Sequence, residues 1–218
     1  MLNSFFTSAC TEEDKGQIPE IKAGSAGPII TDVVITTDLV QKKMARLRPS
    51  SAAGPDGVHP QVFKETDSSL LPQLAKTYRK TMDTGTLPPD WKLADVVPIY
   101  KKGSRDDPGN YRPVSLTSVP CKIIKAIIRD QLMSHLLSEN LLSDAQHGFR
   151  PDRSCVTQLL LAIEDWSSMV ENGEPVDVLY LDLAKALNTV PPKRLLKKVE
   201  AHGIGGKVLR WIGAFLEE

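Results

Sequence analysis

Val176-Asp-Val-Leu-Tyr-Leu-Asp-Leu183 is the stretch on which the fold turns. It is nearly continuous in apolar residues, the pattern of a central strand buried on both faces of a sheet. Asp182 stands at its end. A carboxylate there needs a partner or a cation, because burying it alone is costly. The plainer reading is a solvated carboxylate, or one paired with Lys185. Just upstream, Val156, Leu159, Leu160, Ile163 and Val170 share one helical face between Cys155 and Glu171, and Asn172-Gly173 ends that helix. Pro120 opens another, whose apolar face is Ile123, Ile124, Ile127, Ile128, Leu132 and Leu136. Downstream, residues 192–201 and 207–216 read as two helices, the first stopped by Gly203. These elements predict an α+β fold, mainly helical.

Toward the N-terminus, Ala94-Asp-Val-Val-Pro-Ile-Tyr100 and Tyr111-Arg-Pro-Val-Ser-Leu116 flank a polar turn and predict a hairpin with a long loop. Pro98 and Pro113 put it at a sheet edge or bulge. Residues 60–82 read as helical, with Leu70, Leu71, Leu74, Tyr78 and Met82 in register and Gly85 as the stop. A short helix over 38–47, capped by Asp38, is expected before the turn cluster Ser51-Ala-Ala-Gly-Pro-Asp-Gly57. Residues 8–30 lack periodicity and read as a loose lead-in.

The composition is ordinary for a globular chain: 218 residues, 41% hydrophobic and 25% charged. Twenty-seven basic residues balance 27 acidic ones, which excludes a globally basic nucleic-acid coat. Residues 41–153, however, hold 18 basic against 12 acidic residues, a net of +6 that suits a phosphate-rich partner. Cys10, Cys121 and Cys155 are odd in number and lack paired spacing, so neither a disulfide framework nor a zinc site is expected. No leader pattern and no apolar run of membrane-spanning length is present. The expectation is an intracellular protein, nuclear or cytoplasmic, that is not secreted and has no membrane partner.

Three clusters carry possible chemistry. Lys101, Lys102, Arg105 and Arg112 lie at one end of the expected hairpin, where two cations on a rigid ribbon can grip a triphosphate. Gln146-His-Gly-Phe-Arg150 with Arg153 offers close backbone approach at Gly148, a stacking ring at Phe149 and phosphate partners at the arginines. Ala53-Gly-Pro-Asp-Gly57 is a tight turn. Taken singly, each has a bland alternative: a solvated basic turn, a helix–helix loop, a simple bend. Asp106-Asp107 lies in a polar loop rather than on a strand hairpin, which argues against a polymerase aspartate pair.

Together, and in this order, the motifs are more specific. Ala53-Gly-Pro-Asp-Gly57, Pro98-Ile-Tyr-Lys-Lys-Gly103, Asn110-Tyr-Arg-Pro-Val-Ser-Leu116, Gln146-His-Gly-Phe-Arg150 and Tyr180-Leu-Asp-Leu-Ala-Lys-Ala-Leu-Asn-Thr-Val190 resemble the reverse transcriptase of non-LTR retrotransposons, in the LINE, jockey-like branch. The resemblance implies a partial right-hand polymerase. Residues 1–37 would be a flexible lead-in, 38–174 an N-terminal extension and fingers with a hairpin, and 175–218 the start of a palm with its strand. It implies Asp182 as the catalytic, metal-binding aspartate, with the Leu183 backbone beside it and Mg2+ as cofactor. Nucleotide contacts fall to Lys101, Lys102, Arg112, Ala184, Lys185, Ala186 and Leu187. Nucleic-acid contacts fall to Gly54, Asp56, Gly57, Gln146, Gly148, Phe149, Arg150 and Arg153. The implied partners are an RNA template, a DNA primer and a dNTP.

The departures are as informative. The family usually reads Lys-Ala-Phe-Asp where this chain reads Lys185-Ala-Leu-Asn188, so the aromatic that screens the ribose 2′-hydroxyl is a leucine. The family's paired-aspartate motif does not occur within these 218 residues. The chain ends inside an apolar helical pattern, which reads as truncation in the palm. The expectation is therefore a polymerase fragment that is inactive alone. The alternatives are a non-catalytic RNA-binding fragment and a decayed transposon remnant.

Overall fold

The computed structural model describes residues 2–8, 16, 18, 21, 27–183, 186 and 189–217, with the side chains of 67 and 68 left aside. Eight α-helices and one hairpin are found among them: α1 (Leu2–Thr7), α2 (Thr37–Ala45), α3 (Pro60–Glu65), α4 (Asp67–Thr84), β1 (Ala94–Tyr100), β2 (Tyr111–Thr117), α5 (Val119–Ser138), α6 (Cys155–Glu171), α7 (Pro192–Ala201) and α8 (Gly206–Leu216).

The core forms where α2, α4, α5 and α8 meet. Val40 and Met44 come from α2, Tyr78 and Met82 from α4, Ile123, Ile124 and Ile127 from α5, and Val208 and Trp211 from α8. The buried positions on α4 and α5 follow the helical period of the sequence. The Tyr78 hydroxyl donates to the carbonyl of Pro120 at 2.9 Å, and its ring lies 5.6 Å from that of Trp91. Burial pushes that hydroxyl well above the usual tyrosine range. Trp211 Nε1 donates to Thr81 Oγ1 at 3.3 Å and so fastens α8 to α4.

Several ends of elements differ from expectation for local reasons. Thr36, not Asp38, caps α2, its hydroxyl accepting from the Leu39 N–H at 3.2 Å. The 60–82 helix is two helices, broken at Thr66. Gly85 ends α4 in the left-handed region at φ +70°, as a glycine can without strain. Nor are residues 28–36 loose. The Ile30 N–H donates to the Gly203 carbonyl at 2.8 Å, and the Lys207 N–H to the Thr31 carbonyl at 2.8 Å. Gln131 of α5 clasps both backbone groups of Val34 at 2.7 Å each, and Val33 is buried.

This strap is also held by charge. Asp32, Arg79, Asp83 and Lys207 alternate in sign around a ring, with Arg79 to Asp32 at 2.5 Å, Arg79 to Asp83 at 3.3 Å, Lys207 to Asp83 at 2.5 Å and Lys207 to Asp32 at 3.3 Å. Partial burial pushes the Asp32 carboxyl up, but bonds from Arg79, the Val33 N–H and Lys207 outweigh it and hold it below its ordinary value. The bond from Lys207 does the same for Asp83. Lys207 in turn is raised, first by Asp83 and then by Asp32. Because both carboxyls are harder to protonate when folded, their contribution is complete at neutral pH and is lost as pH falls below about 4. The lysine's contribution is complete at neutral pH and is lost only as pH rises through its elevated folded value. The urea midpoint should therefore be level near neutrality and fall on the acid side. Asp32→Asn with Asp83→Asn should flatten that acid limb, and a limb of unchanged steepness would remove the ring from the account.

Two expectations about burial fail. The 176–183 run forms no strand: residues 174–183 are neither helix nor sheet, and Leu181 is 84% exposed. A strand exists only when paired, and β1–β2 is the sheet found among the described residues. Helix α6 forms with the expected bounds, yet Val156, Leu159, Leu160, Ile163 and Val170 all face solvent.

Candidate nucleotide and nucleic-acid interface

The hairpin projects from the root of α5 with β1 almost wholly exposed. Its register pairs Ile99 with Arg112 and Tyr100 with Tyr111, and Pro98 faces Pro113. The Lys101 N–H then donates to the Asn110 carbonyl at 2.8 Å, which carries the ladder one step further. Alternation along the strand places Lys101 on the face of Ile99, hence on that of Arg112. Lys102 follows in the bend of the turn. All three cations are exposed. The turn between the strands is tied by tyrosines: Tyr111 donates to the Arg105 carbonyl at 2.8 Å, and Arg105 lies 5.2 Å over the Tyr100 ring. Asp107 accepts from the Gly109 N–H at 2.8 Å, so it caps the turn.

The 143–153 loop is a clamped platform. Arg150 donates to the Ser143 carbonyl at 2.7 Å and lies 3.6 Å from Asp144. Arg153 lies 3.8 Å from Asp144 and 3.4 Å from His147 Nε2. His147 is buried, with its Nδ1 2.8 Å from Thr157 Oγ1. Thr157 belongs to the reciprocal cap of α6, in which Ser154 and Thr157 each bond the other's backbone N–H. Both arginines are thus engaged inside the loop. What the loop presents outward is Phe149, 88% exposed and at φ +61°, beside exposed Gly148 and Gln146. A bulky residue in the left-handed region is uncommon, and here it lifts the ring off the surface. His147 and Asp144, which hold this platform, escape a sequence reading directed at its arginines. The Ser-x-x-Thr cap that begins seven residues beyond His147 was the available signal.

The Gly54–Gly57 turn sits at the hairpin's root. Gly54 is buried against the backbone of Thr117 and Ser118. The Gly57 N–H donates to the Gly54 carbonyl at 2.9 Å, and Asp56 accepts from the Val58 N–H at 3.2 Å. Gly57 is exposed and Asp56 half-buried.

Asp182 and Leu183 are exposed. Ala186 lies in a turn whose carbonyl accepts from the Thr189 hydroxyl at 3.3 Å. Ala184, Lys185 and Leu187 lie outside the described residues, as does Asn188. Magnesium needs several oxygen ligands in near-octahedral array. Among the described residues no group of three or more His, Cys, Asp or Glu converges, so Asp182 and its neighbours do not by themselves fit the ion. No helix among them is long and apolar enough to cross a membrane.

Comparison with known proteins bears on these elements together. Residues 99–218 match the family "Reverse transcriptase (RNA-dependent DNA polymerase)". A probable RNA-directed DNA polymerase from transposon BS of Drosophila melanogaster is 25% identical over 167 residues, which is 76% of this chain and 18% of that protein. The RNA-directed DNA polymerase from mobile element jockey of the same organism is 27% identical over 167 residues, with the same shares covered. A Pol polyprotein from retrotransposable element R1 of Bradysia coprophila is 27% identical over 139 residues, 63% of this chain and 13% of that protein. The chain thus spans about a fifth or less of these curated relatives. The family match begins at Ile99, on β1, and takes in the basic tip, the clamped loop and Asp182: the chain belongs to the reverse transcriptase family and is similar to the polymerases of jockey-type mobile elements.

Proposed function

We propose that the chain supplies the fingers and the opening of the palm of an RNA-directed DNA polymerase, which adds deoxynucleotides to a primer 3′-hydroxyl on an RNA template. Residues 38–174 take the first part and 175–218 the second. Lys101 and Arg112 grip the triphosphate of the incoming dNTP from one face of the hairpin, with Lys102 beside them in the turn. The backbone at Leu183 and Ala186 runs beside the same nucleotide. Asp182 is the chain's contribution to a two-metal centre holding Mg2+. One carboxylate on an exposed run does not hold that centre, so the polypeptide alone binds nucleic acid without extending a primer.

The observation that carries this reading is Phe149, an exposed ring on a clamped loop. Such a ring stacks on an unpaired template base and gains about 1–3 kcal/mol per base. Gln146, Gly148 and the Asp56-Gly57 turn flank the strand's path. Arg150 and Arg153 act by holding the loop, and Gly54 by seating the turn.

One experiment tests both halves. The purified chain is mixed with a labelled DNA primer on an RNA template, with dNTPs and Mg2+. Binding without extension is expected, and Phe149→Ala should weaken it about tenfold while leaving the thermal transition in place. Equal binding by the variant sinks the stacking role. Extension that Asp182→Ala abolishes sinks the claim of inactivity.

A further inference from the structure

Away from the hairpin and the loop, α2 and α5 pack side by side and leave two shallow grooves between them, each of about 200 Å3. Their walls carry Lys42, Lys43, Arg46, Lys122 and Arg129. The single carboxylate among the lining residues is Asp130, which Lys43 pairs with and Arg129 meets at 2.7 Å. Lys42, Arg46 and Lys122 have no ion pair among the described residues. We propose that this α2–α5 face is a second nucleic-acid site, which binds the phosphodiester backbone of an RNA strand without reading its bases.

Spacing decides between a strand and a small anion. Lys42 and Arg46 are one helical turn apart, about 6 Å, and Lys122 and Arg129 two turns, about 10 Å. Cations spread over that length do not converge on a single phosphate, but they can meet successive phosphates of one strand. The grooves hold no aromatic ring, their one amide, Gln131, is spent on the Val34 backbone, and their one carboxylate, Asp130, on Lys43 and Arg129, so they offer charge without base readout. Asp130 takes up both Lys43 and Arg129 at the seam, and its pair with Lys43 ties α2 to α5, which leaves Lys42, Arg46 and Lys122 free to act on a ligand. The site uses none of the residues assigned to the template or nucleotide, and it stands whether or not the chain is part of a polymerase.

The test is salt-dependent binding of a short fluorescent single-stranded RNA to the 218-residue chain. Each phosphate neutralised contributes about 0.7 to the slope of log K against log salt for a single strand. Lys42→Gln, Arg46→Gln and Lys122→Gln together should flatten the slope by about 2 and weaken binding at least tenfold near 0.1 M salt. Should the triple variant unfold, Lys42→Gln with Arg46→Gln, both on the exposed side of α2, should still flatten it by about 1. An unchanged slope in a folded variant overturns the site. So does competition by pyrophosphate or by polyglutamate that matches RNA at equal charge, because the groove would then be a small-anion or acidic-peptide site. Phe149→Ala is run in parallel: loss there with no loss from the groove variants would leave the stacking role standing and this one fallen.

Discussion

Trp211→Ala should destabilise the chain by about 3–5 kcal/mol, the cost of removing a large aromatic from a core. Trp211 is only 2% exposed. It stacks on Phe215 with ring centroids 5.6 Å apart and planes 2° from parallel, and its N–H reaches Thr81. Both partners lose contact at once, and α8 loses its fastening to α4. For a chain of this size each kcal/mol moves the melting temperature by about 2–4 °C, so a fall of 6 °C or more is expected. Trp211→Phe keeps most of the volume and gives up one hydrogen bond, worth about 1 kcal/mol. Urea unfolding followed by circular dichroism separates the two. A Trp211→Ala loss below about 1 kcal/mol would mean that α8 is not part of the core.

Gly54→Ala should cost about 2–3 kcal/mol, more than its chemistry suggests. An added Cβ would lie 2.6 Å from the Ser118 nitrogen and equally close to the carbonyl group of Thr117. These are backbone atoms at the junction of β2 and α5, so no side chain can swing aside. The turn must lift, and with it the support beneath the hairpin. Gly57→Ala is the contrast. Its φ is +67°, but nothing lies within 4 Å of an added Cβ, so the cost is that of the left-handed region, about 1–2 kcal/mol. Chemical denaturation should rank Gly54→Ala as the more damaging, and the reverse order would show that the root of the hairpin yields. Because Gly54 touches the hairpin's base rather than its tip, the substitution should also weaken RNA binding through misplacement.

Legibility in the sequence followed the range of the interaction. Helices α5, α6 and α7 are readable nearly to the residue because Pro120, Asn172-Gly173 and Gly203 are local signals. The hairpin is readable too, and its two strands are both edges, which is why Pro98 and Pro113 can sit opposite each other. The 176–183 run fails as a strand because no strand lies against it among the described residues, and an apolar pattern specifies appetite for a partner rather than the partner. The exposed stripe of α6 makes the same point for a helix. Residues 28–36 escape notice for the opposite reason, since they are held by backbone hydrogen bonds that no side-chain pattern announces. At the candidate interface, the sequence placed the tip cations at the hairpin's end and Phe149 in the 143–153 loop, as the structure does. The engagement of Arg150 and Arg153 with Asp144 was not, because it depends on how the loop closes.

The strap that joins Ile30 to Ile204 has a consequence for biosynthesis. A ribosome delivers α2, α4 and α5 long before α8, and Trp211 meets Thr81 across 130 residues of sequence. Until residues 203–211 leave the exit tunnel, the nascent chain carries an unfinished core and a strap whose Ile30 and Thr31 backbone groups lack their partners. Contacts of such separation are slow to form, because the loop must close before any of them repays its entropy. Completion of this core therefore waits for the synthesis of α7 and α8, and until then its exposed apolar surface is what a chaperone would have to cover.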